Sequence, residues 1–461
     1  MDKKSLPLEH PQREVSALAS TYRDRGWTKE ALELEAAMAT ARRRVMEADE
    51  NPDSATIALE ELAICMKGWL YAKSWSAAVD LGILVLEACQ SLKGGQDSMT
   101  MTAMNNLASA YWGRGQLDQA AALASRVTGL RQKILGEAHP QTLISMTNLA
   151  STYRSQGLWS DALKLDEQIF DVKKRTIGAK DPSTLASMSN LAISYANLGR
   201  YTEAESVSRQ LVSIGEQELP PTDTSFLNWK LSLASIYRDR GRLDDAEKIE
   251  QEVVNMSRDL FGTANPFTLT SMANLASTYR GQSRWADAER LERNVVASSE
   301  RVLGETHPQT LMSINNLAST VRNQGQFEEA MRLGEKAATV MKEVLGERHP
   351  HTLVAMADLA VTYQMNQQLK EAEVLATRSL ALMEETLGKN HPHTLSAMAN
   401  LGFIYQSQGR WAAAGEMAEI VYTRKASELG KEHPDTLAAL EDLTRVARVE
   451  AADRNAQHTS N

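Results

Sequence analysis

Two residue types recur along this chain in registers that could do chemistry. Arginine stands at Arg23, Arg154, Arg238, Arg280 and Arg322, and asparagine at Asn106, Asn148, Asn190, Asn274, Asn316 and Asn400. A guanidinium is a planar fork of donors suited to carboxylates and phosphates. On an acidic protein, a lane of such charge favours an acidic peptide or another anionic ligand. The competing reading pairs each fork with an Asp or Glu of a neighbouring helix. A carboxamide carries both donors and an acceptor, so a row of them can pair with an extended peptide backbone or a terminal carboxylate. The alternative is that these amides satisfy local backbone or adjacent helices, although helix interiors disfavour asparagine.

Both registers are interrupted. Trp112, Ala196, Gln364 and Gln406 take the arginine position, and Ser232, Asp358 and Asp442 take that of the asparagine. The serine usual three residues after the asparagine gives way to Ile193, Val361 and Phe403, and Trp229–Lys230 stand where other copies read Ser-Met. Trp112, Ile193, Trp229, Lys230, Leu231 and Phe403 are therefore expected to form pockets for side-chain anchors or a small ligand. Lys230 either runs its stem out to solvent or is a desolvated, reactive amine. The pairs His349–His351 and His391–His393 could suggest zinc ligation. However, His139, His307, His349, His391 and His433 share one register with Asp97, Asp181, Asp223 and Asn265. What Asp, Asn and His have in common before a helix is capping, so no metal site is expected. No nucleophile motif, HExxH or glycine-rich nucleotide loop occurs, so no catalytic residue and no cofactor are assigned.

The elements that carry these registers follow from one period. Ala78, Ala120, Ala162, Ala204, Ala246, Ala288, Ala330, Ala372 and Ala414 recur every 42 residues without insertion, and Ala31 holds the same place in a displaced first copy. In the copy from His139 to Lys180, Leu143, Met146, Leu149, Ala150 and Tyr153 form one helical stripe. Gly157 breaks that helix, and Trp159, Ala162, Leu163, Leu165, Ile169, Val172 and Ile177 mark a second. Gly178 is expected to close the second helix in the left-handed conformation, as are Gly94, Gly136, Gly262, Gly304, Gly346, Gly388 and Gly430. A lone hairpin cannot bury its stripe, so neighbours must stack. The copy between Asn51 and Gly94 departs from the pattern through Met66, Trp69 and Tyr71, while Trp75 matches Trp159, Trp285 and Trp411.

Composition agrees with a helical chain. Its 461 residues include only 12 prolines and 25 glycines, with 5% aromatics and 43% hydrophobic residues. The polar start lacks a signal-peptide core, and no uninterrupted apolar run reaches the roughly 18 residues of a membrane span. The net charge of −9 disfavours a general nucleic-acid role. Cys65 and Cys89 have no metal-type spacing and read as core thiols of a cytoplasmic protein.

The anchors Leu149, Ala150, Tyr153, Gly157 and Ala162 resemble the tetratricopeptide repeat, whose usual period is about 34 residues. The 42-residue form opening with HPxTL, at His307–Leu311, His349–Leu353 and His391–Leu395, resembles the kinesin light chain type. The wording NLAxxYRxxGxWxxA, complete at Asn148–Ala162 and repeated at Asn274–Ala288 with Ser283 for the glycine, resembles the C-terminal arrays of fungal and bacterial nucleotide-binding receptor proteins. The resemblance covers residues 10 to about 450. It implies an all-α, right-handed superhelix of about ten hairpins with a closing helix, a flexible segment at 1–9 and a disordered tail at 451–461. It also implies that first helices line the inner face and that the asparagine row faces the ligand. No GxxxxGK[ST] motif and no N-terminal heptad region are present, so the array is what remains of that resemblance. Three functions follow: a scaffold binding a peptide along its groove, a small-molecule or catalytic accessory protein using an aromatic pocket, or the sensor arm of a receptor system. The oligomeric state is not legible.

Overall fold

The computed structural model describes residues 6–24, 27–47, 54–71 and 74–459. Among them there are helices and no strands. The hairpins are α1 (Leu6–Asp24) with α2 (Thr28–Glu47), α3 (Ser54–Tyr71) with α4 (Trp75–Lys93), and α5 (Ser98–Gly113) with α6 (Leu117–Leu135). Then come α7 (Pro140–Ser155), α8 (Trp159–Thr176), α9 (Pro182–Asn197), α10 (Tyr201–Glu218), α11 (Thr224–Asp239) and α12 (Leu243–Phe261). The series continues with α13 (Pro266–Gly281), α14 (Trp285–Leu303), α15 (Pro308–Asn323), α16 (Phe327–Leu345), α17 (Pro350–Met365) and α18 (Leu369–Thr386). It ends with α19 (Pro392–Ser407), α20 (Trp411–Leu429) and α21 (Pro434–Thr459). Ten hairpins and a closing helix are therefore present. Residues 1–5 and 460–461 lie outside the described residues; α1 and α21 extend into the expected flexible end segments.

By compactness the chain divides into residues 1–155 and 156–461. The core of the first unit joins Tyr22, Leu34, Leu62, Met66, Trp69, Leu81, Met101 and Met104. Trp69, an unexplained aromatic in the sequence, is a core residue whose Nε1 donates to Glu33 Oε2 at 2.6 Å. Tyr71 is exposed. Helix α4 is long and apolar enough by composition to cross a membrane, yet Ala77, Ala78, Val79, Leu81, Val85, Leu86 and Cys89 are buried within this unit. Cys89 is buried and Cys65 half-buried; burial pushes the Cys65 thiol up to about 12 and the Cys89 thiol to about 11.

The periodic alanines explain the stacking. All ten, from Ala31 to Ala414, are 0% exposed, as expected of small residues that let packed helices approach closely. Each first helix is capped as its sequence demands. Asp97, Asp181, Asp223 and Asn265 accept the backbone N–H two residues on through a side-chain oxygen. His139, His307, His349, His391 and His433 accept it through Nδ1 at 3.1–3.2 Å. The glycines closing the second helices depart from expectation. Gly94, Gly136, Gly262, Gly304, Gly346 and Gly430 have φ of 86–95° but ψ of 157–165°. This region is nearly exclusive to glycine and is extended, not left-handed helical. It opens a turn in which the glycine carbonyl accepts the N–H of the next helix's cap residue, as Gly262 O does from Asn265 at 3.4 Å.

Within residues 156–461, loops of early hairpins meet the starts of late ones. A Cβ added at Gly157 would lie 2.6 Å from Pro392 Cδ, and one at Gly199 2.5 Å from His433 Cδ2. These contacts bury His391 and His433, each 7% exposed.

Candidate functional site

Consecutive hairpins meet mainly where a second helix packs on the next first helix, as at α12 with α13 and α16 with α17. First helices also touch directly, as at α9 with α11, α11 with α13, α15 with α17 and α17 with α19. The asparagine row rides on these first helices, one side chain per hairpin. All six expected members are half-buried. Asn148 is engaged: its Nδ2 donates to Asn105 Oδ1 at 3.1 Å. Asn315, one residue ahead of the row, makes the matching contact forward, donating to Asp358 Oδ2 at 2.7 Å. Asn106, Asn190, Asn274, Asn316 and Asn400 make no side-chain hydrogen bond among the described residues. A half-buried carboxamide without a protein partner needs water or a ligand to satisfy it.

The arginine lane behaves otherwise. Arg238 Nη1 donates to Glu250 Oε1 at 2.8 Å, and its Nη2 to Ser235 Oγ at 3.1 Å. Glu250 is 0% exposed and also accepts from Thr278 at 2.5 Å. Arg280 Nε lies 3.7 Å from Glu292 Oε1, and Arg23 pairs with Glu35. Burial, outweighing the nearby arginine, holds the Glu250 and Glu292 carboxyls above the ordinary carboxylate range. At these hairpins the fork is spent inside the protein, on an acid of the adjacent helix, as the competing reading has it. Arg322 differs: its Nη1 donates to Asp358 O at 2.9 Å and Thr362 Oγ1 at 3.3 Å, and its Nη2 to Ser319 Oγ at 3.1 Å. Arg154 has its own interactions. Where arginine is lost, Trp112 donates to Ser155 and Gln364 to Ser407, each at 2.8 Å, bridging to the next first helix.

The six expected pocket residues do not share a pocket. Trp112, Ile193 and Phe403 are 40–42% exposed, whereas Trp229 and Leu231 are 6% and 7% exposed. Trp229 packs with Leu185, Met188, Leu211 and Phe226, in a core that Gly215 opens by leaving room for the Phe226 ring. Leu231 packs with Leu227 and Val253. Lys230 runs over the Phe226 ring, its Nζ 5.0 Å from the centroid, and donates to Glu252 at 2.7 Å, so its stem delivers the ammonium to an ion pair. Phe403 borders a small cavity of 170 Å³ with Lys425 and Asp442.

Two features escaped the sequence reading. A cavity of 580 Å³ opens between α16 and α18 over α17, floored by Ala338, Met356, Leu359, Val374 and Leu375 with Tyr363 at its side. Ala338 stands where other hairpins carry Val254, Val296 and Leu380, a difference visible in the aligned repeats. A second arginine series, at Arg200, Arg242, Arg284 and Arg410 ahead of second helices, lies 4.2–4.5 Å over Tyr195, Tyr237, Tyr279 and Tyr405. Arg242, Arg284 and Arg410 also pair with Glu205, Glu247 and Glu373 of the preceding hairpin. No group of three His, Cys, Asp or Glu able to hold a metal occurs among the described residues.

Tetratricopeptide repeat models match residues 99–175, 141–217, 312–385 and 352–423, and a second form of the same repeat matches 227–267 and 268–309. The chain belongs to the tetratricopeptide repeat family. The chain is similar to a Podosopora anserina protein described as a kinesin light chain with nearly identical TPR-like repeats. The identity is 30% over 45% of this chain and 98% of that one, with a TM-score of 0.38. It is also similar to the apo quorum sensor NprR of B. thuringiensis, at 13% identity over 79% and 98% of the two chains and a TM-score of 0.48. A Rap protein complexed with competence and sporulation factor is 10% identical over 86% and 99%, with a TM-score of 0.46. Comparison with curated proteins found no match.

Proposed function

We propose that the chain is a protein-interaction scaffold that binds an extended peptide segment along its first helices. One observation carries this reading: within residues 156–461, four half-buried carboxamides, at Asn190, Asn274, Asn316 and Asn400, recur in one register with no side-chain hydrogen-bond partner among the described residues. Spaced donors and acceptors of this kind suit a peptide main chain, which offers both at regular intervals. The small-molecule alternative rested on an aromatic pocket, and Trp229 and Leu231 are committed to the core instead. The working compartment is proposed to be the cytoplasm, where Cys65 and Cys89 would stay reduced.

The test is selection of binding peptides from a random display library on the full chain. Their affinities are then measured on a variant with Asn190, Asn274, Asn316 and Asn400 changed to Ala. At least a tenfold loss across independent peptides is expected. Equal binding by the folded variant would sink the reading.

A further inference from the structure

We infer that Arg322 is the seat, within the peptide groove, for a carboxylate side chain of the bound peptide; this rests on the peptide-binding reading above. The argument comes from comparing the hairpins of this one chain. Wherever arginine occupies the lane, an acid usually lies twelve residues on, in the second helix: Arg23 with Glu35, Arg154 with Asp166, Arg238 with Glu250, Arg280 with Glu292. Wherever the arginine is lost, that position is small and uncharged: Leu70 with Gly82, Trp112 with Ala124, Ala196 with Ser208, Gln364 with Ala376, Gln406 with Ala418. Cation and anion appear and vanish together, as expected if each burial must be neutralised locally.

Arg322 breaks this rule. Its partner position is Gly334, so the hairpin keeps the cation and lacks the acid. The room is partly taken up, since a Cβ on Gly334 would come 3.1 Å from Leu359 Cδ1. Arg322 makes no ion pair among the described residues; its Nη bonds all go to neutral oxygens, and its buried Nε has no acceptor. Arg280 stands on the neighbouring first helix and adds like charge, while Asp358 offsets part of it. The Asp358 carboxylate is, however, held by Asn315, and only its backbone oxygen meets the guanidinium. Burial holds Arg322 below the usual guanidinium value, the sign of a cation short of solvation. Asn316 and Ser319 lie on the same helix, and Ser319 Oγ accepts from Arg322 Nη2. Arg322 is only about 9 Å along the helix from Asn316, within reach of an extended peptide held there. A ligand carboxylate would supply the charge that Glu250 and Glu292 supply from within.

The experiment measures fluorescence anisotropy of dye-labelled hexaglutamate and hexaglutamine peptides with the full chain. Wild type is expected to prefer hexaglutamate at least tenfold. Gly334→Glu, which restores the residue of the two preceding hairpins, and Arg322→Gln should each abolish that preference, while the neutral control Gly334→Gln keeps it. No preference in wild type, or a preference untouched by Gly334→Glu and Arg322→Gln, overturns the assignment. If the fourfold asparagine variant loses both peptides while Gly334→Glu loses neither, the groove stands and the Arg322 seat falls. If Gly334→Glu loses the preference and the asparagine variant binds normally, the seat stands without the row.

Discussion

Hairpins over residues 223–306 and those from 307 onward solve the same packing problem with different chemistry. The former cap their first helices with Asp223 and Asn265 and spend Arg238 and Arg280 on buried Glu250 and Glu292. The latter cap with His307, His349 and His391, leave Arg322 without an acid in its own hairpin, and replace the next lane position by Gln364. Yet Ala246, Ala288, Ala330 and Ala372 are equally buried in both. The buried alanine is therefore held by steric demand, while the polar lanes vary: arginine and acid come and go together, except at Arg322.

The comparison breaks most visibly at the buried ion pair. Glu250→Ala strands Arg238 and should cost about 3 kcal/mol in urea unfolding. Adding Arg238→Gln, which recreates the Gln364–Ala376 combination of a later hairpin, should recover most of that loss; no recovery would refute pairwise compensation. At the shared crossing, Ala288→Leu and Ala330→Leu should each cost about 2 kcal/mol of overpacking, despite the different lanes beside them. The loss should appear in hydrogen exchange of that hairpin and its neighbours before the rest of the array.

Acid should separate the two regions. Burial, with the nearby His351, holds the His349 imidazole down to about 4, and His351 and His393 are also lowered by burial. A depressed imidazole stabilises the fold above its unfolded value near 6.5 and loses that contribution as pH falls toward 4. Protonating Nδ1 also removes the acceptor that the cap requires, worth about 1 kcal/mol per helix. Glu250 and Glu292 have raised values, so their contribution grows as pH falls through the raised value. Hydrogen exchange corrected for intrinsic rates should thus show residues 349–432 loosening relative to 223–306 between pH 7 and 5; parallel loosening would contradict this. The smallest effect concerns Ser283, which has φ of 59° where other hairpins, apart from the one with Gln367, use glycine. Ser283→Gly should gain about 0.5 kcal/mol, readable as a higher Tm.

Much of the fold was legible because its constraints are periodic and steric: a 42-residue spacing and an alanine at every crossing leave few alternatives. The caps were legible because Asp, Asn and His share only an acceptor in that register. The site was harder to read. The arginine lane was visible, but its fate depended on a second position twelve residues away, which becomes informative only when the two columns are compared. Asn148 and Asp358 are engaged by Asn105 and Asn315, residues just ahead of the row, and only geometry reveals that forward step. Trp229 and Leu231 resembled lining residues, but the Phe226–Gly215 fit decides which way that helix presents its apolar side.

The loop contacts at Gly157 and Gly199 have a mechanical consequence. A coil whose successive windings touch, flank against flank, cannot be compressed further, whereas stretching it works against the packing along the whole coil. Gly157 on Pro392 and Gly199 on His433 seat one winding on the next, so the pitch of residues 156–461 has a hard stop in one direction.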